Sequence, residues 1–166
     1  MSHESLDAVA AGKEKETLAA FLNHQRELVV NKIAGASDED ARKRLVPSLT
    51  TLLGIVNHLA YVERWWFQDR FLGEACEYPW TDEDPDAEFK PEESIQEVVD
   101  LYQTECAKNN QIIADADLDQ LSPYKFRSGA GPPSLRWIIL HMIEETARHA
   151  GHMDILREQL DGATGQ

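Results

Sequence analysis

The chain has 166 residues, 42% of them apolar, and a formal charge of −14. That length fits one domain around a single core, and so acidic a surface argues against nucleic acid and anionic membrane as partners. No window approaches the ~18 consecutive apolar residues of a membrane span, and two isolated cysteines, Cys76 and Cys106, are too few for a disulfide framework.

Residues 1–13 are polar, without the apolar run of a signal peptide. They read as a flexible leader, and the expected compartment is the reducing cytoplasm. A first helix is expected over residues 14–34, where Leu18, Phe21, Leu22, Leu28, Val29 and Ile33 recur at helical spacing before Gly35. Ser37 and the acids that follow it predict a short extra helix, ended by Pro47.

The second long helix is expected over residues 51–72, closed by Gly73, with a seam of Leu52, Ile55, Leu59, Val62 and Trp66. The sequence Trp65-Trp66-Phe67 reads as core and interface, with a ligand-stacking platform as the minor reading. An acidic connection over residues 74–90 has the length of a crossover or a lid. A third helix begins near Pro91 and runs to about Ala114. After a loop rich in Gly and Pro, Ser134 caps a fourth helix reaching to about Leu160, and residues 161–166 form a polar tail. The pattern is an all-α four-helix bundle over residues 14–160, with connectivity left open.

The fourth helix carries ionisable groups where a core seam is expected: Ile138, Met142, Glu145, His149, His152 and Leu156 step by fours and threes. A buried carboxylate or imidazole needs a partner or a metal. Glu145 and His149, at i and i+4, are helix neighbours able to share one ion. Such donors suit Zn²⁺, Ni²⁺, Fe²⁺ or Mn²⁺. His58, beside the seam of the second helix, is the natural third donor. His141, one turn before Glu145, would extend the cluster or support it. His24 has no second donor in register, and His3 lies in the leader. A buried Glu–His or Arg–Glu pair, using Arg148 or Arg136, explains the same spacing without a metal. There is no H-E-x-x-H motif, no paired Glu-x-x-His of a dinuclear centre, no phosphate loop and no nucleophile elbow.

Residues 52–67 (LLGIVNHLAYVERWWF) resemble the second-helix motif of DinB/YfiT-like proteins in the actinobacterial mini-circle branch. Residues 134–158 (SLRWIILHMIEETARHAGHMDILRE) resemble its last helix, and residues 161–165 its tail. The resemblance spans nearly the whole chain. It implies a four-helix bundle with one divalent ion, zinc first, held by His58, Glu145 and His149. In the family pattern H-x-x-x-H-x-G-Q, Glu145 stands on the first ligand, Gly151 on the glycine and His152 on the Gln. Glu at the first position is similar to the His, Glu, His set of mycothiol-dependent maleylpyruvate isomerase. The implied chemistry is transfer of a low-molecular-weight thiol, mycothiol or bacillithiol, to a small electrophile, because a metal-bound thiol ionises near neutral pH. Glu144, His141 and His152 are then candidates to relay the thiol proton. A metal-dependent hydrolase and a non-enzymatic metal-binding stress protein are the alternatives. The resemblance also implies a homodimer.

Overall fold

A computed structural model describes residues 6–164. His3 lies outside the described residues, as do parts of the expected leader and tail. Helix α1 spans Glu14–Ile33 and the short α2 spans Asp38–Ala41, with the Ser37 hydroxyl accepting from the Asp40 amide. Helix α3 spans Leu52–Glu63 and continues directly into a π-helical stretch, Arg64–Leu72. Gly73 closes it at φ 76°, a left-handed conformation that glycine adopts without strain. Helix α4 covers Ile95–Asp115 and α5 covers Leu135–Asp161. The start of α4 is set by a capping box: Ser94 accepts from the Glu97 amide while the Glu97 carboxylate accepts from the Ser94 amide at 2.9 Å. It therefore begins a few residues after Pro91. Among the described residues the fold is all-α, with one isolated bridge between Leu121 and Ser134. None of these helices is long and apolar enough to cross a membrane.

The connectivity follows from how the ends meet. Lys15, at the start of α1, donates to the carbonyls of Ala114 and Ala116 at the end of α4, so these two helices are antiparallel. Arg136 at the start of α5 pairs with Glu14, and Arg157 near its end donates to the Lys32 carbonyl, so α1 and α5 are parallel. One apolar cluster unites Leu53 and Val56 with Val98, Val29 and Met153; the other unites Phe67 and Phe71 with Ile113, Leu22 and Ile138. Helices α3 and α4 thus run parallel, and the bundle is up, down, down, up.

A parallel neighbour cannot be reached by a tight turn, so residues 73–94 must travel back along the bundle. They do so against α3. Tyr78 donates to Asp69 at 3.0 Å, Glu77 accepts from Arg64 at 3.0 Å, and the Glu88 carbonyl accepts from Asn57 at 2.7 Å. The crossover ends in a 3₁₀ turn, Ala87–Phe89. Gly54 makes this approach possible: a β-carbon there would stand 2.7 Å from the Phe89 carbonyl oxygen. Helix α3 is consequently buried on nearly every face, not along one seam alone.

A polar layer separates the two apolar clusters. Arg26 and Glu63, 4% and 0% exposed, form a bidentate pair at 2.7 and 2.6 Å. Asn109 donates to Glu63 at 2.8 Å, and Gln68 bridges Asn109 and Glu105. Burial by itself lowers the pKa of Arg26, but the Glu63 carboxylate more than offsets this and holds the guanidinium above its ordinary range.

Candidate metal centre

On the side of the bundle where α3 faces α5, three donors converge. Glu145 Oε1 lies 3.1 Å from His149 Nε2 and 3.5 Å from His58 Nε2, and the imidazole centroids are 5.0 Å apart. All three side chains are about one-seventh exposed, deep enough to be shielded and open enough to be reached. Among the described residues, these are the His, Cys, Asp or Glu side chains that come together, one ligand atom from each lying within 4.8 Å of the others. The helical repeat delivers Glu145 and His149 on one face of α5; only the packing of α3 against α5 brings in His58.

Hydrogen bonding from His149, then from His58, holds the Glu145 carboxyl well below the usual carboxylate range. The group is ionised throughout the neutral range, as a ligand must be. The donors fit a divalent ion. A tetrahedral ion with bonds of about 2.1 Å spaces its ligand atoms about 3.4 Å apart, and the two separations centred on Glu145 Oε1 lie on either side of that value. Two imidazoles and one carboxylate suit zinc and its neighbours. Three protein donors leave at least one position open, as catalytic sites do.

The surroundings differ from the sequence expectation in several places. His152 is exposed and is not a member of the core seam; its ring stands edge-on 5.4 Å from His149. The buried line of α5 keeps Ile138, Met142 and Leu156 of the expected seam but runs through Thr146, Ala150 and Met153 between them, one position beyond Glu145, His149 and His152, so Glu145 and His149 stand on its flank. Spacing alone runs the seam through the ionisable residues; the packing selects the small and apolar ones beside them.

His141 lies face to face with Trp137 at 5.1 Å and edge-on to Trp66 at 4.9 Å, with Nδ1 3.7 Å from Glu144. Burial lowers its pKa, partly offset by the Glu145 charge. Glu144 is exposed and pairs with Arg148, which also reaches Glu145 Oε2 at 3.1 Å. Arg136 serves Glu14 and Asp119 instead. His24 is buried on α1, outside the triad. Trp66 and Phe67 are core, and Trp66 also forms an aromatic wall with Trp137 and Phe126 beside His141.

Two residues of the site were missed by sequence reasoning. Phe89 stacks on His58 with centroids 4.6 Å apart, and Glu88 Oε1 lies 3.4 Å from His58 Nδ1. Neither has a periodicity that points inward; the length of the acidic connection around them predicts a crossover or a lid without saying which of its residues face α3.

Residues 17–162 match the mycothiol-S-transferase family, and the chain belongs to it. A conserved protein from Enterococcus faecalis with a known crystal structure is similar in fold: TM-score 0.69 over 91% of this chain and 99% of that one, at 13% identity. The search of curated proteins found no match.

Proposed function

We propose that the chain transfers a low-molecular-weight thiol of the mycothiol or bacillithiol type to a small electrophile, using one divalent ion, zinc first, held by His58, Glu145 and His149. The observation that carries this reading is the convergence of those three donors, with a position left open, inside the segment that matches the mycothiol-S-transferase family. A divalent ion bound there supplies positive charge that favours the ionised form of a thiol near neutral pH.

The side chains supply the remainder. A sulfur–carbon bond forms to the electrophile, the bond to its leaving group breaks, and that group departs with the electron pair. The thiol proton goes to a neighbouring base. His141 is kept neutral at pH 7 by burial, and so accepts a proton, with Glu144 at its Nδ1 to pass it to solvent. His152, exposed on the other side of His149, is the second outlet. The wall of Trp66, Trp137 and Phe126 offers apolar surface to the electrophile. A cytoplasmic location agrees with a reduced thiol cosubstrate and with the free Cys76 and Cys106. The homodimer implied by the family resemblance is checked by light scattering of the purified chain.

The test is consumption of mycothiol and of bacillithiol by zinc-loaded protein across a panel of electrophiles, beside His149→Ala. Adduct formation by the wild type and its loss in the variant are expected. A panel left unreacted with both thiols would overturn the proposal. Turnover of the same panel without any thiol would point to metal-activated hydrolysis instead.

A further inference from the structure

We infer that Glu88, at the end of the crossover, is a positioning residue for the metal centre: its carboxylate accepts a hydrogen bond from the Nδ1–H of His58 and so fixes Nε2 as the atom that faces the ion. The inference rests on the metal reading given above.

Four observations carry it. First, His58 presents its two nitrogens to two different carboxylates, Nε2 to Glu145 at 3.5 Å and Nδ1 to Glu88 at 3.4 Å. An imidazole that ligates a metal through one nitrogen keeps its proton on the other, and that proton needs an acceptor. Second, His58 Nδ1 is buried without a hydrogen bond of its own, and Glu88 Oε1 stands 3.4 Å from it, within reach of the Nδ1 proton after a small side-chain adjustment. Third, Glu88 is turned inward, its side chain 13% exposed, whereas Asp82, Glu83 and Asp86 of the same acidic segment face solvent. A carboxylate is buried at a cost unless something holds it there, and His58 Nδ1 is the ring nitrogen that faces it. Fourth, the backbone is fixed in place at this point. Asn57, the residue before His58, donates to the Glu88 carbonyl at 2.7 Å, and Phe89 lies flat on the His58 ring. Adjacent residues of α3 thus hold the backbone and the side chain of one crossover residue.

The consequence is that the crossover is part of the site. Phe89 lies flat on the His58 ring, Glu88 sets its tautomer, and Asn57 anchors the crossover backbone that carries them both. A residue in this role changes metal affinity by about 10–100-fold without touching the ion.

The experiment compares the full-length wild type with Glu88→Ala, Glu88→Gln and, as a control in the same segment, Glu83→Gln. Zinc affinity is read by competition with a chromophoric chelator. Glu88→Ala is expected to bind about 10–100-fold more weakly, and Glu88→Gln, which retains an acceptor oxygen, to recover most of the loss. Glu83→Gln should match the wild type. Nitrogen-15 spectra of the zinc-loaded wild type should show His58 metallated at Nε2 with a slowly exchanging proton on Nδ1, and that proton should exchange freely in Glu88→Ala. The melting temperature of the metal-free proteins separates a positioning role from a structural one. Affinity retained to within about threefold in Glu88→Ala would overturn the inference and leave the metal site standing. So would metallation at Nδ1, or an affinity loss matched by an equal loss of metal-free stability. A wild type that binds no zinc at all would overturn the metal reading itself, and the role of Glu88 with it.

Discussion

Phe89 lies flat against His58, ring planes 18° from parallel, although one residue ends a crossover and the other sits mid-helix on α3. The contact converts an irregular segment into a wall of the candidate metal centre. It also ties the stability of that segment to the site, because the same turn is held by Asn57 and passes over Gly54.

Gly54 is therefore the place to disturb the wall without touching a ligand. In Gly54→Ala the new methyl group would meet the Phe89 carbonyl at 2.7 Å and the Thr51 hydroxyl at 2.9 Å. The crossover has to lift, at a cost of about 1–3 kcal/mol. Urea unfolding should show that loss, and zinc affinity should fall along with it. Unchanged unfolding and unchanged affinity together would mean that the crossover is not seated as described.

Removing the ion should leave the bundle folded. The two apolar clusters contain none of His58, Glu145 and His149. Chelated protein should keep its far-ultraviolet helical signal but melt lower than the zinc-loaded form, by about 2.7 kcal/mol of stability at a ligand concentration a hundred times Kd. His58→Ala and His149→Ala should lose that increment and the zinc itself in elemental analysis. Collapse of the fold on chelation would assign the site a structural role instead.

The polar layer predicts a non-additive pair. Arg26→Met leaves Glu63 buried with a single remaining side-chain donor, Asn109, and Glu63→Leu leaves Arg26 with Asn23 and Asn110 as acceptors but no counter-charge. Each single change should destabilise by about 3–5 kcal/mol, while the double replacement should cost much less, because no buried charge is left unpaired. Thermal unfolding of the three variants measures the coupling. Additive losses would contradict the bidentate geometry.

His141 sets a pH dependence whose sign is fixed by its environment. Burial lowers its folded pKa below the ordinary 6.5. Between the two values the unfolded chain binds more protons, so this group makes stability rise with pH up to about 6.5 and level off above it. A proton NMR titration should place the His141 midpoint below 6.5, and His141→Gln should remove this part of the slope. A midpoint at or above 6.5 would show that the ring is not desolvated between Trp137 and Trp66.

The sequence by itself determined what is local. Periodicity places the four long helices, Ser134 caps one of them and Gly73 ends another, because each signal acts within a few residues; the third is expected to begin near Pro91, and its start is set instead by the capping box at Ser94. The i, i+4 pair of Glu145 and His149 was legible for the same reason, and the family resemblance singled out His58. The tertiary structure decided the rest. A parallel α3–α4 pair forces the chain back along the bundle, and that return path, not any repeat in residues 74–90, carries Glu88 and Phe89 to His58. The middle of the α5 seam is offset by one position because neighbouring helices select Thr146, Ala150 and Met153 for the interior, leaving His152 in solvent, while Ile138, Met142 and Leu156 are buried as their spacing predicts. Spacing along one helix names the faces of that helix; which face is buried, and what meets it there, is a property of the other three.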